Sequence, residues 1–210
     1  RIFFLPQIIR VHAARGDKEK TRSALAEALQ SYPLEQRAKL QKSMESMICC
    51  SEHDLAGFLK AADDDPGPPS FELALLRGKL EDASELAKQA VRDAEIFHAL
   101  LYLEAKRSGA KELAATHWQT LLASLAKGPR EERLLGDILA GRKTLAQHPA
   151  ERLLLATRAK RVLLAVLAER YPEQAKATLA LARTLDFHRD TISLCLRKVL
   201  ETNNERPGQP

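Results

Sequence analysis

The sequence predicts an all-α protein built from helical hairpins, and three observations support this. Leu supplies 35 and Ala 32 of the 210 residues, whereas Val and Ile together supply only 12. Side chains without β-branching lose little rotamer freedom in a helix, whereas β-branched side chains favour strands. Apolar residues recur with a helical period, and the breaks between apolar segments recur at roughly the length of one helical hairpin.

The helix breaks set the expected number of hairpins. They are predicted at Gly16, Ser51, Gly78, Gly109, Gly141 and Arg170. The intervals between them are 35, 27, 31, 32 and 29 residues, so we expect about five to six hairpins. Five positions after each break lies a small residue, namely Thr21, Ala56, Ala83, Ala114, Ala146 and Ala175. Small side chains allow two helices to pack at roughly 8–10 Å, which predicts that these residues lie between paired helices.

The first helix of each hairpin is expected to end near a break. In chain order these helices are predicted at Phe3 to Ala14, Phe71 to Arg77, Glu95 to Arg107, Arg130 to Ala140 and Leu155 to Glu169. Gly16, Gly109 and Gly141 are typical of residues just past a helix end, and Pro149 and Pro172 are typical of a first helical turn. Second helices are expected to follow the breaks.

Two segments show the apolar stripe of an amphipathic helix most clearly. The last segment carries it at Ile192, Cys195, Leu196, Val199 and Leu200. An earlier segment carries a similar stripe at Ala114, Trp118, Leu121, Leu122 and Leu125. We therefore expect one buried face on each helix, with Trp118 in the core, where a single Trp fills a large gap between helices.

Residues 1–202 are expected to form a single helical-repeat domain. The segment 63–69 is rich in Asp and Pro, which predicts a loop that acts as a hinge. Residues 203–210 are expected to be a disordered tail. Because the sequence begins at Arg1 and not at Met, we expect a fragment of a longer protein.

Charge and cysteine content narrow the function classes only a little. The net charge is +5 and the pI about 9.2, but an acidic centre at residues 52–104 interrupts the basic surplus. Three cysteines, two of them adjacent, do not form the paired framework of a small secreted domain, which favours the cytoplasm. No apolar run approaches the ~18 residues of a membrane span. An anchor outside this sequence stays an open alternative.

Three stretches resemble the second halves of tetratricopeptide repeats: Gly16 to Pro33, Gly78 to Ala90 and Tyr171 to Ala182. In that family a Gly precedes the second helix, small residues follow at fixed offsets, and a Pro often closes the unit. Gly16, Ala28 and Pro33 match this pattern, while Thr21 replaces the small Ala. The first helices lack the family's Trp-Leu-Gly-Tyr signature. The resemblance implies a right-handed superhelical array of hairpins that covers most of the chain.

Such an array implies a non-catalytic module that binds a peptide segment or a partner helix in its concave groove. The expected partner-binding residues on the first helices are Arg10, Tyr102, Lys106, Arg133, Lys160 and Arg161, which suit an acidic protein or peptide. Family members that bind a C-terminal carboxylate use Lys, Arg and Asn, but here Asn occurs only at Asn203 and Asn204. The acidic centre could instead receive a basic partner.

The alternative function is nucleic-acid binding through the basic C-terminal half. Arg152, Arg158, Lys160 and Arg161 follow one another along a predicted helix, with Arg158 and Arg161 on one face. A solvated face is the simpler interpretation of these charges. Aromatic stacking platforms near them are scarce, since only Tyr171 is close, and this makes nucleic acid the less favoured partner.

Motifs that suggest chemistry each have a simpler structural interpretation, so we expect no enzyme, no cofactor and no metal. Gly136 to Thr144 resembles a phosphate-binding loop but lacks the preceding strand and the correct Lys position. Potential metal ligands form the groups Cys49, Cys50 and His53, and His98, Glu112 and His117. The first group predicts buried thiols and a solvated His, and the second predicts packing and hydrogen bonding between helices. Arg15-Gly16-Asp17 matches an adhesion tripeptide but lies on a predicted turn.

Overall fold

The all-α class is confirmed in the part of the chain that the structure describes. This computed structural model describes residues 5–64, 68–90, 93–150, 153, 155, 157–185 and 190–201, apart from the side chains of Ser43, Thr157, Arg158 and Glu201. Within those ranges the secondary structure is helical and there is no strand. None of the helices found there is long and apolar enough to cross a membrane.

The helices follow one another with short connections. They are α1 (Leu5–Ala14), α2 (Lys18–Ser31), α3 (Leu34–Glu52), α4 (Leu55–Asp64), α5 (Phe71–Leu76), α6 (Leu80–Lys88), α7 (Ala94–Ser108), α8 (Lys111–Lys127), α9 (Arg130–Leu139), α10 (Thr157–Arg170), α11 (Ala175–Thr184) and α12 (Thr191–Glu201). A short 3₁₀ helix at Pro172–Gln174 precedes α11. The helical segments predicted at 3–14, 71–77, 95–107 and 130–140 are thus confirmed in the described residues except for Arg77 and Ala140, which follow the helix ends. The fifth segment begins two residues later than predicted.

The chain divides into two compact units. One unit comprises residues 1–77 and 187–197, and the other comprises residues 78–186 and 198–210. We call them unit 1 and unit 2. Of the expected hinge at 63–69, residues 65–67 lie outside the described residues, and so does the whole of the expected tail at 203–210. Asp63 and Asp64, which were predicted in the loop, instead end α4, because Arg77 pairs with Asp63 and Lys42 Nζ donates to Asp64 O.

Unit 1 is built by pairwise packing of consecutive helices. α1 packs against both α2 and α3, α2 against α3, and α3 against α4. Thr21 and Ala28 of α2 are fully buried, and Thr21 Oγ1 donates to Asp17 O at 2.7 Å. This confirms that small residues bring these helices together. Ala56 of α4, in contrast, is exposed, so its predicted place between helices is wrong.

Unit 2 is organised around α7. This helix packs against α6, α8 and α10, while α8 also contacts α9, and α10 pairs with α11. Ala83 and Ala114 are buried as expected. The predicted hairpin after Gly141 is wrong, because residues 140–149 form turns and Ala146 is exposed. Here Asp137 O accepts from Arg142 N at 2.8 Å and from Lys143 N at 3.2 Å, and these bonds close the chain into a turn.

Helix ends agree with the predicted glycines. Gly16, Gly109 and Gly141 each have a positive φ just past a helix. The apolar stripe of α12 is also confirmed, since Ile192, Cys195, Leu196 and Val199 are buried. The right-handed order of the hairpins and the relation to tetratricopeptide repeats stay predictions.

Gly109 gives the first test, because it ends α7 with φ of 79° and an added Cβ there would meet nothing within 4 Å. Replacing it with Ala therefore costs backbone strain alone, about 1–2 kcal/mol of the free energy of unfolding, whereas Asn tolerates this conformation and costs less. Denaturation followed by the fluorescence of the single Trp measures both variants. An Ala variant as stable as the wild type would contradict this role of Gly109.

Candidate binding cleft

The hairpin of α7 and α8 positions the candidate site within unit 2. Nearly all of α7 between Ile96 and Ala105 is buried, and the buried face of α8 carries Ala114, His117, Leu121 and Leu125. Gly109 ends α7 in the left-handed conformation, with the N–H of Ala110 donating to Ala105 O at 2.9 Å. The chain therefore reverses within two residues, and α8 returns along α7.

A cleft of about 690 Å³ opens beside this hairpin. This volume lies in the range of small-molecule sites. The residues that line it are Tyr102, Ala105, Lys106, Gly109, Lys111, Ala114, Ala115, Trp118, Gln119, Leu122, Leu139, Ala140 and Arg170. Five of the described lining residues are Ala or Gly. Their side chains are too small to fill the space beside α7 and α8. The cleft is thus apolar inside, with polar groups at a few points.

An aromatic pair lies in the cleft. The rings of Tyr102 and Trp118 have centroids 4.9 Å apart and planes tilted by 38°, an arrangement that aromatic rings favour. Tyr102 is 9% exposed, whereas Trp118 is only half-buried. The expectation that Trp118 belongs to the core is therefore wrong. His117, Leu121 and Leu125 take the core positions of α8, and Trp118 turns one side toward the open cleft.

Lys106 joins the cleft to α10 through an ion pair. Its Nζ donates to Glu169 Oε1 at 2.6 Å and lies 5.9 Å from the centroid of the Tyr102 ring. The hydrogen bond with Glu169 raises the pKa of Lys106, and burial raises the pKa of Tyr102. Both groups are therefore held in their protonated forms at neutral pH. Lys106 is exposed as expected, but Glu169 already compensates its charge.

Two further cations lie at the cleft, and the sequence analysis missed both. Lys111 begins α8 and Arg170 ends α10, and both side chains are exposed. Among the described residues neither of them forms an ion pair. The neighbouring Tyr171 donates its hydroxyl to Ile138 O at 2.6 Å, which ties this end of α10 to α9. The sequence signal for this cleft was the helix face that carries Ala115, Trp118, Gln119 and Leu122. This face mixes a polar Gln with apolar residues, which is typical of a face that is only partly buried.

The remaining predicted partner-binding residues do not join this cleft. Arg161 is 0% exposed, so its predicted place on an exposed surface is wrong. The reason is that α10 is buried on nearly all sides from Ala159 to Ala168. Lys160 is half-buried and Arg133 is exposed, with Arg133 Nη1 donating to Gly128 O at 2.7 Å.

The rest of the predicted basic surface divides between the units and the undescribed residues. Arg10 is exposed on α1 and belongs to unit 1. Arg152 and the side chain of Arg158 lie outside the described residues. The predicted solvated face of Arg158 and Arg161 is wrong where it is described, because Arg161 is buried.

Cys49 and Cys50 form the buried thiol pair that was expected. Burial raises the pKa of both thiols, for Cys50 to about 12, so both stay protonated at neutral pH. His53 is half-buried and not fully solvated, and it adopts a left-handed conformation at the end of α3. No group of three or more metal-ligating side chains occurs among the residues that the structure describes.

Two other motifs have the structural roles that were predicted. Gly136 lies inside α9, with Leu135, Ile138 and Leu139 buried, so the first part of this motif is helical and its first Gly does not lie in a phosphate-binding loop. Asp17 of the Arg-Gly-Asp tripeptide caps α2, because its side chain accepts from Lys20 N at 3.2 Å.

His98 and His117 form a buried pair between α7 and α8. Their Nδ1 atoms are 2.9 Å apart and their rings are stacked, with centroids 5.1 Å apart. This confirms the prediction that they pack and share a hydrogen bond, whereas Glu112 is exposed. Burial lowers the pKa of both rings, and that of His117 falls to about 4 with the added effect of His98 and Lys88. One of the two Nδ1 atoms must accept the hydrogen bond that the other donates, so at least one of the two imidazole rings must be neutral.

No protein-family model matches this chain, and neither curated proteins nor solved structures include a match. The function must therefore be argued from the cleft and the residues around it.

The histidine pair predicts a pH-dependent stability of unit 2. A pKa that is lower in the folded than in the unfolded state stabilises the fold above about pH 6.5, and this stabilisation is lost as the pH falls toward 4. For His117 the loss amounts to roughly 2 kcal/mol between pH 7 and pH 5. Denaturation followed by Trp118 fluorescence should show it, and His117→Gln should flatten the dependence. His12→Gln on α1 is the control, and equal pH dependence in wild type and His117→Gln would contradict the assignment.

Proposed function

We propose that this protein is a non-catalytic interaction module that binds a peptide segment of a partner protein in the cleft beside α7 and α8. The observation that carries this proposal is the cleft itself, an open apolar space with an aromatic pair and cations around it. Peptide-binding grooves combine an apolar surface that takes side chains with a few polar groups that orient the chain. The pairwise packing of helices within each unit is compatible with tetratricopeptide-like hairpins, which commonly have this role.

The chemistry of the lining favours binding over catalysis. A general base or nucleophile is tuned toward neutral pH. The pKa values of Tyr102 and Lys106 are both raised, which moves them away from that range. Among the described lining residues there is no Ser, Cys, His, Asp or Glu. The polar side chains that do line the cleft can orient a ligand. They do not combine a nucleophile, a base and a residue that orients the base, as catalysis requires.

A second candidate function is the binding of single-stranded nucleic acid, and the aromatic pair favours it. Trp118 is half-exposed beside Lys106, Lys111 and Arg170, and bases stack on aromatic rings that lie among cations. Ionic strength separates the two functions. Phosphate contacts lose affinity steeply between about 50 and 200 mM salt, whereas a peptide in a mainly apolar cleft loses much less.

Selection of peptides from a phage-displayed library of random dodecapeptides tests the proposed function. We expect peptides to be enriched on the wild-type chain but not on Ala115→Phe, because Ala115 is an exposed lining residue and a Phe there fills the cleft. Ala123→Phe is the matched control, since Ala123 is exposed on the same helix but does not line the cleft. The proposal fails if no peptide is enriched, or if Ala115→Phe retains the same peptides.

A further inference from the structure

We infer that the cleft recognises a peptide segment in which an aromatic or large aliphatic side chain stands within a few residues of a carboxylate side chain. This inference rests on the proposed function and specifies the chemistry of the partner. It depends on three features of the cleft: its net charge, the distance between its cations and its aromatic pair, and the way in which its arginine is held.

The charges at the cleft do not cancel. Its lining includes three cations, Lys106, Lys111 and Arg170, and no acidic residue among the described ones. Glu169, just outside the lining, pairs with Lys106. Lys111 and Arg170 have no such counter-charge among the described residues, and both are exposed. The cleft therefore presents two uncompensated positive charges to an incoming segment, and complementary charges on that segment favour its binding.

The cations lie close enough to the aromatic pair for one short segment to reach both. Lys106 Nζ is 5.9 Å from the centroid of the Tyr102 ring. The charge of Arg170 also acts on Tyr102, where it lowers the pKa against the larger raising effect of burial. An extended chain advances roughly 3.4 Å per residue. Because Trp118 and Arg170 line the same cleft, an apolar side chain on Trp118 and a carboxylate at Arg170 can belong to one short segment.

Arg170 is well placed to bind a carboxylate. It is the last residue of α10, and the next residue, Tyr171, holds the backbone there through its hydroxyl bond to Ile138 O. The guanidinium group carries its donors in a planar fork that matches the two oxygens of a carboxylate. Because the backbone of Arg170 is held while its side chain is exposed, the arginine can bind an acidic side chain without rearrangement of α10.

The apolar lining favours a peptide over a nucleic acid. Ala and Leu supply six of the thirteen described lining residues, and their side chains suit aliphatic and aromatic side chains and offer no partner for sugars or phosphates. Two uncompensated cations are also few compared with the roughly 6–10 phosphate contacts of a typical nucleic-acid site. A peptide with one or two carboxylates matches both the charge and the surface.

The peptides enriched in the library selection provide the first test. Among peptides that the wild-type chain and Ala123→Phe retain but Ala115→Phe does not, we expect Asp or Glu within about three residues of an aromatic residue or Leu. If the peptides that depend on the cleft are neutral or basic, the inference is overturned while the proposed function stands. If no peptide depends on the cleft, the proposed function itself fails.

A fluorescence titration provides the second test. The most enriched peptide that lacks Trp is synthesised with its acidic residues and again with Gln or Asn in their place, and Trp118 emission reports occupancy of the cleft. We expect the neutral peptide to bind at least tenfold more weakly. The double variant Lys111→Glu, Arg170→Glu should weaken the acidic peptide by at least tenfold as well.

Lys127→Glu is the matched control, because Lys127 is exposed at the far end of α8 and does not line the cleft. It should leave the affinity within about twofold, and circular dichroism checks that all variants remain helical. Equal affinity of the two peptides, or an unchanged affinity in the double variant, would overturn the inference. Binding of a single-stranded oligothymidylate more tightly than any selected peptide, with loss in the double variant, would replace the peptide with a nucleic acid.

Discussion

The structure of unit 2 depends on the burial of α7 on all sides. From Ile96 to Ala105 this helix has almost no solvent face, because α6, α8 and α10 each pack against it. A helix buried in this way must satisfy its polar side chains internally. His98 shares a hydrogen bond with His117. The Glu104 carboxylate accepts a hydrogen bond from Arg107 Nε at 2.7 Å and forms an ion pair with Lys198, whose Nζ lies 3.6 Å away. The same packing brings Tyr102 to the edge of the cleft.

The cleft follows from the small side chains that allow this close packing. Aromatic residues make up only 5% of the chain, so the helices pair through Ala and Leu and not through large anchors. Ala105, Gly109, Ala114 and Ala140 line the cleft with small side chains, and among the described residues this leaves open space between the helices. Trp118 lies at the margin of that space, which leaves one side of its ring open to a ligand.

Ion pairing determines which cations of unit 2 are available to a partner. Arg161 is buried, and Lys106 is paired with Glu169, whereas Arg170 and Lys111 are exposed without a counter-charge among the described residues. The count of charges along the chain treats all four alike. Three of them differ because of how α10 packs onto α7, which buries Arg161, pairs Lys106 with Glu169 and leaves Arg170 at the cleft. Lys111 lies at the cleft because it begins α8.

The sequence alone determined the helical class, the helix ends at Gly16, Gly109 and Gly141 and the buried stripe of α12, because these depend on local propensity, on glycines with positive φ and on a helical period. It did not determine which small residues are buried, since Ala83 lies between helices whereas Ala146 lies in an exposed turn. Only the tertiary structure placed Trp118 at a cleft and Arg161 in the core. Those outcomes depend on which helices pack on each face, and contacts between residues far apart in the chain decide that.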